Sequence, residues 1–139
     1  MKKHEVGIVC GSFDIMHPGY IRLFSDVKSV CNSLTVALQT DPTIDRPEKC
    51  KPVQSISDRI EILSAIKYVD RIVTYSTESD LENLLGEEEY DVRVLGTDYV
   101  GREDYTGANY KKPVFYHERD HNYSTTKLKR AISKSVKSK

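Results

Sequence analysis

The chain has 139 residues, with 21 basic against 21 acidic side chains. Charge therefore gives no reason to expect a nucleic-acid scaffold or an anionic membrane as partner. No stretch approaches the ~18 consecutive apolar residues of a membrane span, and the length suits one domain with one buried core. Cys10, Cys31 and Cys50 are odd in number and widely spaced, with no C-x-x-C pair and no secretory signal before them. That usage predicts reduced thiols and a cytoplasmic protein. Cys10 and Cys31 fall at apolar positions and read as core, whereas Cys50 lies in a polar loop, as an inert exposed residue or a reactive thiol.

In chain order, Val6-Gly7-Ile8-Val9-Cys10 is a β-branched-rich run that predicts a first strand. Gly11 to Tyr20 form a turn, after which Ile21, Phe24, Val27 and Cys31 recur as one apolar helical stripe. Leu34 to Leu38 predict the second strand, which ends at Gln39-Thr40-Asp41-Pro42. A polar segment from Thr43 to Gln54, containing Arg46, Lys49 and Lys51, carries no element. Ser55 with Asp58 three residues on is a capping-box-like start, and Ile56, Ile60, Leu63 and Ile66 make the second helix amphipathic.

Arg71 to Tyr75 predict the third strand, and Thr77 with Asp80 cap a third helix carrying Leu81, Leu84 and Leu85. Val92 to Leu95 predict a fourth strand. Gly96-Thr97-Asp98 then open a long polar loop with Gly101, Gly107 and four tyrosines, Tyr99, Tyr105, Tyr110 and Tyr116, in or just beyond it. Those tyrosines either pack the loop or line a ligand site, since tyrosine suits both. Val114 to Tyr116 predict a fifth strand, and a last helix runs from near Ser124-Thr125-Thr126 through Leu128 and Ile132. Strands alternating with helices predict an α/β fold with a mainly parallel five-stranded sheet. With no repeat and no linker, residues 1–139 read as one domain with a core of about 5–132 and a basic tail, 133–139. Lys127, Lys129 and Arg130, with Lys134, Lys137 and Lys139 beyond, read as a solvated helix face and frayed tail.

Chemistry concentrates in two stretches. Gly11-Ser12-Phe13-Asp14-Ile15-Met16-His17-Pro18-Gly19-Tyr20 is a strand-to-helix turn, where free helix N–H groups attract phosphate. Its glycines allow close backbone approach, Pro18 can begin the helix, and His17 offers a nitrogen at the helix mouth. The second stretch, Arg119-Asp120-His121-Asn122-Tyr123-Ser124-Thr125-Thr126-Lys127, sets an arginine fork ahead of another helix start. Taken alone, Ser124 reads as an ordinary N-cap. Neither G-x-x-x-x-G-K-[ST] nor G-x-G-x-x-G occurs, which counts against a P-loop kinase or a dinucleotide dehydrogenase.

The first stretch resembles the G-[ST]-F-D-x-x-H-x-G-H signature of the small cytidylyltransferases, above all the glycerol-3-phosphate cytidylyltransferases, within the HxGH nucleotidyltransferase superfamily. The second resembles that family's R-x-x-x-x-S-[TS]-[TS] motif. Between them, Thr40-Asp41, Lys51, Arg59 and Gly96-Thr97-Asp98 match family positions in order. One position departs: Tyr20 stands where the family has its second histidine. A phenol of ordinary pKa ≈ 10 brings no positive charge; His117 and His121 flank the second motif and offer an alternative imidazole.

The resemblance implies a Rossmann-like domain of nucleotidyltransferase type, with helices on both sheet faces, that moves CMP from CTP to a small phosphorylated acceptor, glycerol 3-phosphate or similar, releasing pyrophosphate. It implies His17, Lys51 and Arg119 as catalytic residues. Gly11, Ser12, Phe13, Asp14, Gly19, Tyr20, Gly96, Asp98, Ser124, Thr125 and Thr126 join His17 and Arg119 around the nucleotide, and Asp41 and Arg59 would meet the acceptor. Magnesium is expected through the substrate phosphates, Asp14 being the nearest carboxylate unless it only fixes the turn. A homodimer is implied, with neither nucleic acid nor membrane insertion. The alternatives are an adenylyltransferase of the same superfamily and, on account of Tyr20, a weakened nucleotide-binding sensor module.

Overall fold

The computed structural model describes residues 3–137. In chain order its elements are β1 (His4–Gly11), α1 (Pro18–Val30), β2 (Cys31–Gln39), α2 (Ile56–Ser64), β3 (Arg71–Tyr75), α3 (Glu78–Glu87), β4 (Val92–Gly96), β5 (Val114–His117) and α4 (Thr125–Lys137). The five strands form one sheet in the order β3-β2-β1-β4-β5, with every neighbouring pair parallel. Strand order reverses between β1 and β4, and in open α/β sheets the crevice outside the strand ends at such a point is where ligands bind.

Both sheet faces are covered, so the central strands are apolar in near-continuous runs instead of alternating. On one face Val9, Val36, Val92 and Val94 pack with Phe24 and Val27 of α1 and Leu63 of α2. On the other, Ile8 and Ala37 pack with Leu81 and Leu85 of α3. Helices start where side chains satisfy free N–H groups: Ser55 Oγ accepts from Asp58 N at α2, and Thr77 and Asp80 form a reciprocal capping box at α3.

Four local expectations change. The first helix begins at Pro18 and ends at Val30, and Cys31, expected on its apolar stripe, is already extended as the first residue of β2. The cause is packing: the Cys31 Sγ fills the space above Gly7, where a Cβ would lie 2.7 Å from it. The polar segment after β2 is not bare, because Asp41 caps a short 3-10 turn, Pro42–Ile44, through Thr43 N. Two further 3-10 turns, Thr97–Tyr99 and Ala108–Tyr110, structure the long loop. The basic tail is helical as far as Lys137, while Lys139 lies outside the described residues. Cys10 is half-buried, Cys31 buried and Cys50 exposed. No helix among the described residues is long and apolar enough to cross a membrane.

Candidate active site

A single cleft lies over the carboxyl ends of β1 and β4, lined among others by Gly11, Ser12, Phe13, His17, Gly19, Tyr20, Gly96, Asp98, Arg119, Ser124, Thr125 and Thr126. Two motifs about a hundred residues apart in sequence thus meet in space. The turn from β1 to α1 needs holding, since Phe13 and Ile15 adopt positive φ of 45° and 55°, which costs a non-glycine residue free energy. Asp14 supplies the hold. Its carboxylate accepts from Val53 N at 2.7 Å and Gln54 N at 3.0 Å, and it pairs with Lys129 Nζ at 3.1 Å. Gln54 Oε1 in turn accepts from Ile15 N. Burial opposes ionisation of Asp14, but the two N–H donors and Lys129 outweigh it and pull the pKa below the usual carboxylate value. Of the two roles open to Asp14, the geometry gives it that of fixing the turn.

His17 is the N-cap of α1. It is only 7 % exposed, and its Nδ1 accepts from Gly19 N at 3.1 Å, so the proton of the neutral ring sits on Nε2. Burial first, then the neighbouring His121 and Arg119, lower its pKa, and the ring is neutral at pH 7. Tyr20 stacks on it with centroids 4.0 Å apart. The Tyr20 hydroxyl lies 2.9 Å from Thr125 Oγ1, which donates to the Asp14 carbonyl at 2.8 Å. Because Thr125 spends its proton on Asp14, Tyr20 is the donor to Thr125. Tyr20 therefore ties α1 to the start of α4.

Ser124 Oγ accepts from Lys127 N at 2.9 Å, so it caps α4 as its residue type suggests and also lines the cleft. Arg119 is exposed at the cleft and donates to the Tyr123 carbonyl. His121 packs against Gly19, where an added Cβ would come within 2.5 Å of its Cε1. Its Nδ1 accepts from Tyr123 N at 3.1 Å, which again leaves Nε2 with the proton. Partial burial, then Arg119 and Arg22, lower its pKa. His117, the other flanking histidine, is taken up by Asp26 at 2.9 Å.

Besides Asp14, which holds the turn, three expected residues do not line the cleft. Arg59 is 2 % exposed, and its guanidinium donates to the carbonyls of Gln54, Ser12, Gln39 and Thr40. With its donors spent on backbone, it cannot grip an acceptor phosphate as expected; it ties the first turn to the end of β2. Asp41 does not line the cleft, and its Oδ1 accepts from both Thr43 N and Thr43 Oγ1. Lys51 is exposed on the segment before α2 and does not line the cleft, because Asp14 anchors that segment at Val53 and Gln54. Lys129, read as solvated, instead reaches Asp14.

The long-loop tyrosines divide between the two roles. Tyr110 packs on α3 and donates to the Glu82 carbonyl at 2.9 Å, whereas Tyr99 and Tyr105 line the cleft. Unforeseen lining residues are Arg93 of β4, Glu78 of α3, Arg46 and Gln39. Arg93 was detectable as a charge inside the otherwise apolar Val92-Arg93-Val94-Leu95.

The cytidylyltransferase-like family model matches residues 8–131. Among curated proteins, the bifunctional protein HldE of Paramagnetospirillum magneticum is 35% identical over 100 residues, covering 71% of this chain and 20% of that protein. Its counterpart in Gluconacetobacter diazotrophicus is 38% identical over 98 residues, covering 68% and 20%. The chain thus spans about a fifth of the length of these relatives. A solved structure, the lipopolysaccharide core biosynthesis protein of Thermoplasma volcanium, superposes with a TM-score of 0.67 at 23% identity, covering 87% of this chain and 99% of that one; it shares the fold.

Proposed function

The chain belongs to the cytidylyltransferase-like family, and from that premise we propose that it transfers a nucleotidyl group from a nucleoside triphosphate to a small phosphorylated acceptor. An acceptor phosphate oxygen attacks the α-phosphorus in line, the bond to the bridging oxygen breaks, and pyrophosphate leaves. Such chemistry asks the protein for positioning and charge stabilisation, not for a covalent nucleophile. The observation that carries the reading is the locked His17, whose Nδ1 is spent on Gly19 N so that Nε2 keeps the proton, in a cleft that Ser124, Thr125 and Thr126 also line. His17 donates to the α-phosphate, Arg119 stabilises charge on the leaving group, and Ser124, Thr125, Thr126 and their helix start hold the outer phosphates. Gly96 and Asp98 bound the ribose and base side.

His121 supplies the second imidazole in place of Tyr20, since it packs on Gly19 beside His17 and keeps its own Nε2 proton to donate. Replacing His121 with alanine is then expected to lower turnover about a hundredfold, the worth of one such donor. Adding Tyr20→His to that variant restores part of the loss. Steady-state rates of the single and double variants check this, and a His121→Ala enzyme at full rate removes His121 from the reaction.

Magnesium enters as part of the substrate, carried on the nucleotide phosphates. No group of three His, Cys, Asp or Glu side chains among the described residues is arranged to hold a metal, and the Asp14 oxygens are already engaged.

We read the nucleotide as CTP on the strength of the Gly11 to Tyr20 and Arg119 to Thr126 motifs. Adenylyl transfer is the second reading, because the similar curated proteins carry the name HldE and not that of a cytidylyltransferase. The deciding experiment is pyrophosphate release by the purified protein with magnesium, each of the four triphosphates being paired with a panel of phosphorylated acceptors. Acceptor-dependent release with CTP alone supports cytidylyl transfer, and release with ATP alone the second reading. No release from any pair, with CTP still bound, turns the protein into a nucleotide-binding module. Sedimentation of the same sample tests the homodimer.

A further inference from the structure

Residues 97–113, between β4 and β5, divide into a seated part and a free-standing part. From Thr106 to Tyr110 the chain lies along α3. Thr106 Oγ1 donates to Glu78 Oε2 at 2.7 Å, and the Tyr110 hydroxyl donates to the Glu82 carbonyl at 2.9 Å. Between them Gly107 rests on Leu85, where a Cβ would come within 2.5 Å of Cδ1. That contact and a φ of +90° suit glycine at the point where the loop turns onto the helix. From Tyr99 to Tyr105, the hydrogen bonds and the ion pair among the described residues stay within the loop, as from Arg102 N to Tyr99 O and from Arg102 to Asp104. This flap carries Tyr99, Asp104 and Tyr105, all of which line the cleft.

The two parts meet at Thr106, which is held at both of its polar groups. Its hydroxyl is spent on Glu78, and its carbonyl accepts from Arg93 Nη1 at 2.6 Å. Arg93 is 6 % exposed and keeps its Nε buried without a partner. None of the ion pairs among the described residues includes it, and its guanidinium lies 5.5 Å from the centre of the Tyr105 ring. A charge buried without a counter-ion is costly. Rehydration of Arg93 therefore favours lifting the flap, while its bond to Thr106 and its contact with Tyr105 oppose it. With those effects opposed, the bond from Thr106 to Glu78 weighs heavily in the balance.

We propose that Thr106 is a positioning residue: clasped between Arg93 and Glu78, it holds the Tyr99 to Tyr105 flap in place as a wall of the cleft and thereby sets the affinity for the nucleotide. The inference rests on the nucleotidyl-transfer reading, in which Gly96 and Asp98 bound the ribose and base side. Tyr99 completes the same 3-10 turn as Asp98, so the flap begins at that side. Only molecules with the flap in place bind fully, and the apparent dissociation constant is the intrinsic one divided by their fraction.

The test compares wild type, Thr106→Val, Thr106→Ser, Glu78→Ala and the Thr106→Val, Glu78→Ala double variant in two measurements. Trypsin cleavage after the exposed Arg102, followed by mass spectrometry without nucleotide, reads lifting of the flap. Thr106→Val keeps the side chain's shape and loses its hydroxyl, so cleavage should quicken about tenfold, the lower worth of a hydrogen bond to a charged group. Glu78→Ala should match it, and the double variant should add little, because both substitutions remove one shared bond. Calorimetry with CTP and with ATP, each with magnesium, should show the better-bound triphosphate weakened about tenfold by Thr106→Val. Thr106→Ser should stay close to wild type in both measurements. Wild-type cleavage of Thr106→Val, or additive effects in the double variant, overturns the clasp. Faster cleavage with unchanged affinity for a triphosphate that wild type binds overturns the positioning role alone, whereas a wild type that binds neither triphosphate sinks the transfer reading together with it.

Discussion

Replacing His17 with asparagine is expected to cost about two to three orders of magnitude in turnover while the protein stays folded. The side chain does two jobs through two nitrogens: Nδ1 caps α1 by accepting from Gly19 N, and Nε2–H is the proposed donor to the α-phosphate. Asparagine is a good N-cap but cannot reach as far. Alanine loses both functions, so His17→Ala should show the same rate loss plus about 1 kcal/mol of stability, the usual worth of a cap. Comparing the two variants by rate and by chemical denaturation separates the roles. A His17→Asn enzyme with wild-type turnover would refute the proposed chemistry. The pH dependence has a definite sign. His17 has a pKa below the ordinary 6.5, so the folded state binds its proton less readily than the unfolded chain does. Its contribution to stability is present above about 6.5 and is lost as pH falls through the folded-state value. Protonation also removes the acceptor for Gly19 N, so the α1 cap should fail on acidification while Nε2–H remains a donor.

Arg59→Met should be the most damaging single change to the fold, at about 4 kcal/mol, since it removes a charged donor set and leaves buried carbonyls without partners. Against a typical total of about 5–15 kcal/mol that is a large share, and the melting temperature should fall by roughly 10 °C. Thermal denaturation followed by circular dichroism measures it. If the residue gripped a substrate phosphate instead, the variant would keep its melting temperature and lose only acceptor affinity.

Arg59 also shows how much was legible in the sequence. Its position in α2, three residues after Ile56 and four before Leu63, places it on the buried stripe, and a charge there announces a buried role. The family resemblance drew attention to a phosphate instead. Strands β1 to β5 were readable because β-branched and apolar runs between turn residues have few other uses. The meeting of Gly11 to Tyr20 with Arg119 to Thr126 followed from a parallel sheet whose loops gather at one end. Placement of Lys51 was not readable, because it depends on Asp14 reaching 39 and 40 residues along the chain to Val53 and Gln54. The pairing of Lys129 with Asp14 was hidden likewise, since a lysine in a basic helix looks the same whether it faces water or a carboxylate.

None of the residues of α4 is buried. The helix is joined to the turn by Tyr20 with Thr125, Thr125 with Asp14, and Lys129 with Asp14. Polar contacts of this kind place α4 at the low end of local opening free energies, where a segment detaches while the rest of the native state persists. Ser124, Thr125 and Thr126 travel with it, so the proposed polyphosphate cradle is complete only in the docked fraction of molecules. Measured nucleotide affinity is then the intrinsic affinity multiplied by that fraction. Substitutions far from any phosphate, at Asp14, Tyr20 or Lys129, would tune it by shifting an equilibrium they share.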